Sequence, residues 1–471
     1  MIEQVRNVFK IPELRKKLLV TLGLLAIYRL GAFIPVPGVD PKALHEYMQE
    51  IGGQAGGTAL DFVDMFTGGA LSKMAIFAMG IMPYVSASII LQLLTVVWPT
   101  LERLSKEGEA GRRKITSYTR YLTLCIAILQ ATGIGLLLTS QTTSSGRPIV
   151  PDPGFMFYFI TVLTLATGTV FIMWLGEQIS SSGIGNGISL IIFAGIVARF
   201  PAAATQTAQR VRQGQLTPVQ LVFLLAMMVG IVAFIIFFER AQRRIPVQYA
   251  KRVVGTKVRA GQSTHLPLKL NASGVIPVVF AQSVIVLPGM LLALVPQDVT
   301  WARALYQQLS YAMPLYVFLE VVAIVFFCFF YTSIVFNPVD TTDNIKKYGG
   351  FIPGLRPGKK TAEYIDTVLT RLTFWGALYL SVISLIPMFL TNGIKLHELP
   401  RWLGGGLFQG LPTWMKVGFE LPSAATSFFG GTSLLIVVGV CMDFVQQVES
   451  QLIMRHYDGF LRGTRMRGRR G

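Results

Sequence analysis

Charged residues are scarce in this chain, and their scarcity excludes an ordinary soluble protein. Only 14% of the 471 residues are charged, 52% are hydrophobic and the mean hydropathy is +0.54. Runs of about 20 apolar residues, enough for a helix to cross the hydrocarbon core, lie at 18–35, 73–97, 120–139, 155–175, 186–201, 219–238, 272–295, 315–336, 371–391 and 431–448. The sequence therefore predicts an all-α polytopic membrane protein with ten transmembrane helices.

Residues that carry catalysis or bind metals are also few. The three cysteines each lie in a span without a partner, which is typical of small apolar packing residues: Cys125, Cys328 and Cys441. The four histidines fall in loops and lack metal-ligand spacing: His45, His265, His397 and His456. The chain has neither a nucleophile with an adjacent base nor a phosphate-binding loop of the G-x-x-x-x-G-K-[ST] type. We expect no enzyme activity, no metal site and no cofactor.

Ionisable residues within the spans are rare, and Arg29, Glu320 and Asp443 all lie near predicted span ends. A secondary transporter coupled to protons or ions is expected to carry such groups at mid-depth. An inverted-repeat secondary transporter is therefore the alternative rather than the favoured interpretation.

The distribution of basic residues predicts the orientation. Loops on one side carry 31 of the 42 Lys and Arg residues, and loops on the other side carry 10. By the positive-inside rule both termini are cytoplasmic. No cleavage site follows the first span, so we expect it to be a retained helix. Much of the net charge of +18 serves this topology and attracts anionic lipids.

Two short stretches repeat about two hundred residues apart. Ala78 to Val85 shares four of eight residues with Ala272 to Val279, and Gly187 to Ile196 shares five of ten with Gly431 to Val440. The repeated pairs run in opposite directions, as in inverted repeats that place a pathway at their pseudo-two-fold axis. The sequence thus predicts two pseudo-symmetric five-helix halves, 1–200 and 201–471, around a central pore.

A short amphipathic stretch precedes the second span. Its apolar residues are Leu60, Phe62, Val63, Met65 and Phe66, and Gly68 and Gly69 then break the helix. It is too short to cross a membrane. The residues alone favour a helix lying flat at the interface, with a re-entrant segment in a protein-lined cavity as the alternative.

Two large cytoplasmic loops, 239–271 and 337–370, are rich in basic residues. Alternating polar and apolar residues after Pro246 predict a hairpin in the first loop, which also carries Arg243 and Arg244. A Pro- and Gly-rich turn at 349–358 presents Arg356 at an exposed tip in the second. For Arg356 these features favour docking of a large cytoplasmic partner rich in phosphate or acidic groups over a topology signal alone, and for the first loop the two interpretations stand equal.

Six stretches across nearly the whole chain resemble the bacterial SecY family of protein translocase channels: Ile76 to Leu94 (IFAMGIMPYVSASIILQLL), Lys106 to Lys114 (KEGEAGRRK), Gly183 to Ile196 (GIGNGISLIIFAGI), Glu239 to Arg252 (ERAQRRIPVQYAKR), Gly261 to Lys269 (GQSTHLPLK) and Gly430 to Val440 (GGTSLLIVVGV). The resemblance implies an hourglass pore in the bacterial inner membrane that passes unfolded polypeptides and releases transmembrane segments sideways into lipid. It also implies gating by signal peptides and force from the SecA motor ATPase or a ribosome translating a nascent polypeptide. Small membrane subunits, SecE and SecG, are implied as companions.

The resemblance also assigns roles to residues. An apolar pore ring is implied at Ile81, Val85, Ile188, Ile192, Val279 and Ile436, and a plug helix at about 59–71. Partner docking is implied at Lys251, Arg252, Lys257, Arg356 and Tyr457. The family usually has isoleucine at most ring positions, so the two valines imply a slightly wider waist. Thr256 stands where relatives often have a basic residue, and the long outer loop 391–429 is a further departure.

Overall fold

The chain forms two compact units, Met1–Ala204 with Val440–Gly471, and Thr205–Gly439. The computed structural model describes residues 11–44, 46–47, 64, 66–141, 146–214, 217–249, 252–254, 257–259, 263–293, 305, 308–309, 313–391 and 431–463. We call the units unit 1 and unit 2, in the order given.

The described part of unit 1 consists mainly of helices joined by turns. Its helices are α1 (Pro12–Gly31), α2 (Met82–Val97), α3 (Pro99–Lys106), α4 (Glu109–Ser140), α5 (Phe155–Ser182) and α6 (Gly187–Ala198). Helix α7 (Phe200–Arg212) begins in unit 1 and continues into unit 2. Helix α4 packs between α2 and α5, while α1 packs on α5 and α6. The last helix of the chain, α13 (Gly431–Gly463), has its C-terminal part in this unit.

Unit 2 combines long helices with short strands. Its helices are α8 (Pro218–Arg240), α9 (Ile276–Ala293), α10 (Pro314–Val335), α11 (Pro338–Lys347) and α12 (Lys359–Thr391). Its strands are β1 (Gln242–Tyr249), β2 (Arg252–Val254), β3 (Lys257–Arg259), β4 (Ser263–Lys269) and β5 (Gly350–Phe351). Helix α10 packs between α9 and α12.

The prediction of a polytopic helical membrane protein is confirmed. Among the described residues, 7 helical segments are long and apolar enough to cross a membrane, and the bent pair α2–α3 makes up to 8. Helices α1 and α9 lie at the two remaining predicted spans, 18–35 and 272–295. The 99° bend between α2 and α3 falls at Pro99, because a residue before proline, here Trp98, favours the extended conformation.

The predicted second span, 73–97, is wrong in its first part, because helix α2 begins only at Met82. The preceding residues form turns, and both Met74 (φ 43°) and Gly80 (φ 57°) adopt the left-handed conformation, which a right-handed helix does not admit. The backbone pairs instead with the chain after α1. Val36 donates its amide to the Met74 carbonyl (2.8 Å), and Ile76 donates to Ile34 (2.9 Å).

The two loops of unit 2 that follow α8 and α10 share a three-stranded sheet with strand order β4-β1-β5, while β2 and β3 pair in a separate two-stranded sheet. Strands β1 and β4 pair antiparallel with Ile245 opposite Leu266, which confirms the predicted hairpin. Strand β5 adds the second loop to the same sheet. A small apolar core unites the two loops with the first turns of α12: Ile245, Val247, Leu268, Ile352, Ile365 and Leu369. Both predicted docking loops thus belong to one folded body.

Candidate pore and plug site

Four of the six predicted pore-ring residues lie in unit 1, at the first turns of two helices. Ile81 is the N-cap of α2, and Val85 donates its amide to the Ile81 carbonyl (3.1 Å), so both side chains lie on one helix face. Ile188 and Ile192 have the same i, i+4 spacing at the start of α6, where the Asn186 side chain accepts a hydrogen bond from the Ile188 amide. Ile188 is partly exposed and the other three are buried.

The start of α6 is fixed by a close approach of two glycines. The carbonyl of Gly176, on α5, lies where a Cβ on Gly187 would be, so a side chain at residue 187 would collide with α5. Ile188 also packs near Gly176, with its Cγ1 atom 3.6 Å from the Cβ position there. The two glycines therefore set where α6 presents Ile188 and Ile192.

The other two predicted ring residues lie in unit 2. Val279 is on α9 and its carbonyl accepts a hydrogen bond from Ser283 Oγ (2.8 Å), while Ile436 is in the second turn of α13. Val279 is 8% exposed and Ile436 is 2% exposed. All six are branched aliphatic residues without a polar atom in the side chain. Their meeting in one ring stays a prediction.

The predicted plug is described only at its C-terminal end. Leu60, Phe62, Val63 and Met65 lie outside the described residues. Phe66 is 3% exposed, and Gly68 (φ 69°) and Gly69 (φ 84°) take the left-handed conformation that glycine adopts without strain. This end is buried in protein, which favours the re-entrant interpretation over a helix lying flat on the membrane surface.

The described plug end lies directly against the helices that carry ring residues. A Cβ on Gly68 would be 2.7 Å from the carbonyl oxygen of Gly195, which is three residues after Ile192 on α6. A Cβ on Gly80, which adjoins Ile81, would be 2.8 Å from Thr67 Cγ2. The structure thus places the described plug end against Gly80, which precedes Ile81, and against Gly195, three residues after Ile192.

Hydrogen bonds from α1 hold the plug end. Arg29 donates from Nη1 to the Gly68 carbonyl (2.9 Å), and the Tyr28 hydroxyl donates to the Thr67 carbonyl (3.3 Å). Thr67 itself donates from Oγ1 to the Asp64 carbonyl (3.1 Å). Arg29 therefore binds the backbone of the described plug end. Its position near a predicted span end gave no indication of this contact.

A charged pair completes these contacts, and we call Asp64, Arg199 and Ser72 the plug latch. Arg199 Nη1, at the C-terminal end of α6, lies 3.3 Å from Asp64 Oδ2. The Ser72 amide donates to Asp64 Oδ1 (2.8 Å). The Asp64 side chain is 4% exposed and the Arg199 side chain is 40% exposed. A buried carboxylate needs such partners, because an unpaired charge is costly in an apolar environment.

The predicted docking residues are distributed over the loops of unit 2 and the last helix of the chain. Arg243 and Arg244 are exposed on β1, and Arg356 is exposed in the turn after β5, where its carbonyl accepts a hydrogen bond from Thr361 Oγ1 (2.8 Å). Arg252 lies on β2, Lys257 on β3 and Tyr457 on α13. Lys251 lies outside the described residues. The shared sheet joins Arg243, Arg244 and Arg356 to one body.

Sequence patterns gave no indication of the contacts or burial of three polar residues: Asp64, Arg199 and Glu320. In the sequence, Asp64 is only a polar residue of the amphipathic stretch, and Arg199 is only one of the basic residues counted for the orientation. The predicted spans put Glu320 near a span end, whereas this residue lies six positions inside α10 and is 1% exposed. A lone carboxylate in an apolar span is itself a signal of a specific role.

Comparisons with known proteins identify the family of the chain. The SecY family model matches residues 75–445. The protein translocase subunit SecY of Escherichia coli strain K12 is 48% identical over 97% of this chain and 96% of its own length. That of Aquifex aeolicus strain VF5 is 42% identical over 98% of this chain and 100% of its own length.

Solved structures share the fold at low sequence identity. A protein-conducting channel has a TM-score of 0.62 at 16% identity, covering 95% of this chain and 97% of that one. Sec61 in the canine ribosome–channel complex of the endoplasmic reticulum has a TM-score of 0.58 at 15% identity, with the same coverage. On the family model and the relatives together, the chain belongs to the SecY family.

Proposed function

We propose that this chain, as the channel subunit of a protein translocase, passes unfolded secretory polypeptides across the bacterial cytoplasmic membrane and releases transmembrane segments sideways into lipid. One observation carries the proposal in detail: the plug end lies against Gly80 and Gly195, next to the ring residues Ile81 and Ile192. A plug seated at the ring closes the pore from the outer side.

The pore ring seals by being apolar. Branched aliphatic side chains at Ile81, Val85, Ile188, Ile192, Val279 and Ile436 exclude ordered water from a narrow waist and so block ions by dewetting. They also offer a passing peptide neither charges nor hydrogen bonds. A seal that binds no particular side chain suits a substrate of arbitrary sequence.

We assign the pore to the interface of two inverted five-helix halves, 1–200 and 201–471, with both termini cytoplasmic. A signal peptide would enter beside α2, α4, α9 and α10 and favour the open state because it binds that state better. Helices α2 and α4 pack together in unit 1, and α9 and α10 pack together in unit 2, which supports each pair moving as one piece.

The cytoplasmic body of unit 2 is the proposed docking surface for SecA or a ribosome. Its sheet holds Arg243, Arg244 and Arg356 on one apolar core, so a partner with acidic or phosphate groups meets a preformed basic surface. The fold match to ribosome-bound canine Sec61 supports this assignment. SecE and SecG are the proposed small membrane companions, and anionic lipids are the proposed neighbours of the basic loops.

Site-specific crosslinking to a translocating polypeptide tests the proposal. The full chain, reconstituted with its companion subunits and SecA, carries a single photo-crosslinking residue while a secretory polypeptide is arrested midway. We expect crosslinks from Ile192 and Ile436 but not from Leu163, an apolar residue on α5 that is 56% exposed. Equal crosslinking from all three positions, or from Leu163 alone, would contradict the assigned path.

A further inference from the structure

Glu320 is a buried carboxyl group with polar neighbours on two adjacent helices. It lies on α10, and Ser384 of α12 donates a short hydrogen bond from Oγ to Glu320 Oε1. The side-chain amide of Gln282, on α9, is a hydrogen-bonding neighbour of the same carboxyl. The exposed fractions of Glu320, Gln282 and Ser384 are 1%, 2% and 3%. We call these three residues the carboxyl clasp.

The helices packed on α10 supply no cation to balance an ionised Glu320. Helix α9 carries no titratable side chain, and Tyr379 is the only one between Leu372 and Thr391 on α12. On α10 itself the others are Tyr316, Cys328 and Tyr331. An ionised carboxylate buried among neutral neighbours costs several kcal/mol, on the order of the penalty for an unpaired buried ion. The neutral, protonated acid avoids that cost.

The hydrogen-bond inventory points the same way. Among the described residues, Glu320 Oε2 and Gln282 Oε1 are both buried oxygens without a hydrogen-bond partner. Two acceptors cannot pair with each other when the carboxyl is ionised. A proton on Oε2 would turn that oxygen into a donor, and Gln282 Oε1, an unpaired acceptor on the neighbouring amide, is the candidate acceptor for it. One proton would then satisfy both atoms.

We infer that Glu320 is a protonated carboxylic acid that accepts from Ser384 and donates to Gln282, and so ties α9 to α10 and α12. Glu320 is a positioning residue, because it acts on the pore through α9. Val279 lies three residues before Gln282 on that helix. The clasp itself rests on contacts within unit 2, and only its consequence for the pore rests on Val279 as a ring residue.

Infrared spectroscopy tests the protonation directly. We compare the full chain in lipid bilayers with its E320Q variant, in which an amide keeps one acceptor and one donor in place of the acid. The difference spectrum should contain the carbonyl band of a protonated acid in the wild type, shifted by deuterium exchange. Carboxylate bands in that difference spectrum would overturn the inference.

A set of variants tests the clasp as a unit. E320M should lower the thermal unfolding midpoint, because it leaves the Gln282 amide and the Ser384 hydroxyl without their shared partner, while E320Q should stay near the wild type. The triple variant E320M, Q282M, S384A should recover much of the loss, since apolar groups then replace every partner. A triple variant that is no better than E320M, or an E320Q variant as unstable as E320M, would overturn the clasp.

Single-channel conductance separates the clasp from the pore ring. In E320M we expect the ion leak of the closed channel to rise roughly tenfold, the factor given by a lost buried hydrogen bond of ordinary strength, while E320Q stays closed. If E320M lowers the thermal unfolding midpoint but leaves the ion leak unchanged, Val279 is rejected as a ring residue. A leak that rises equally in E320Q and E320M would reject the proton-dependent clasp instead.

Discussion

The plug latch of unit 1 and the carboxyl clasp of unit 2 are both built around a carboxyl group, but they differ in charge and in contact with solvent. Asp64 faces a guanidinium that is 40% exposed, so water competes with the pair. Glu320 lies beside Gln282 and Ser384, two neutral residues that are as buried as the carboxyl itself. A hydrated charged pair opens more easily than a dry neutral one. We therefore expect the latch to open during gating, and the clasp to keep α9, α10 and α12 together throughout.

The largest effect is expected from a polar residue in the ring. Ile436→Asn puts an amide into a site that is 2% exposed. The aliphatic side chains of the proposed ring offer this amide no hydrogen bonds in place of those it would make with water. An unpaired buried amide costs about 1–3 kcal/mol, so the closed state loosens and polypeptides with poor signal sequences are exported. Export of such a reporter is the measurement. Val445→Asn, on the same helix but 43% exposed, is the control and should export no more than the wild type.

The next effect tests the latch. Arg199→Gln leaves the buried Asp64 carboxylate without its cation, and we expect a weakening of the closed state by about 1–2 kcal/mol, since the arginine is partly solvated. The measurement is ion leak through reconstituted channels at two salt concentrations, and salt should matter less in the variant. Arg212→Gln, at the exposed end of α7, is the control. If the ion leak of Arg199→Gln equals that of the wild type, the pair of Asp64 and Arg199 does not stabilise the closed state.

An effect of similar size is expected from the close approach of the plug end to α6. Gly195→Ala introduces a methyl group where the Phe66 carbonyl oxygen lies, and overpacking of this kind typically costs about 1–3 kcal/mol. Alanine favours a helix, so any loss reflects the collision rather than helix propensity. Gly230→Ala on α8, which has nothing within 4 Å of the new methyl group, is the matched control. Accessibility of a cysteine introduced at residue 66 should rise in the first variant alone.

The smallest effect tests the two valines of the ring. Val85→Ile and Val279→Ile each add one methylene to the proposed waist, at two positions where the resemblance implies isoleucine. We expect less ion leak during polypeptide passage, with a change in free energy of about 1 kcal/mol or less. Current recorded with an arrested polypeptide in the pore measures this. More leak in both variants would show that these residues pack in the helix core instead of facing the passage.

Local patterns in the sequence predict much of the fold. Apolar runs identify the helices, and the alternation around Ile245 and Val247 predicts the hairpin, because each depends on neighbouring residues. The late start of α2 has no such signal, since the apolar run continues through turns that Met74 and Gly80 impose. The pairing of Asp64 with Arg199 depends on tertiary contacts between distant residues, which periodicity does not encode. The ring of six stays a prediction.

The most direct test of the central claim is single-channel conductance of the full chain in a planar bilayer, compared with a variant that lacks residues 59–71. The wild type should be closed to ions in the absence of a polypeptide, because we propose that the plug closes the apolar ring from the outer side. The deletion should show repeated ion-conducting openings. Currents that do not differ between the two proteins would contradict the account.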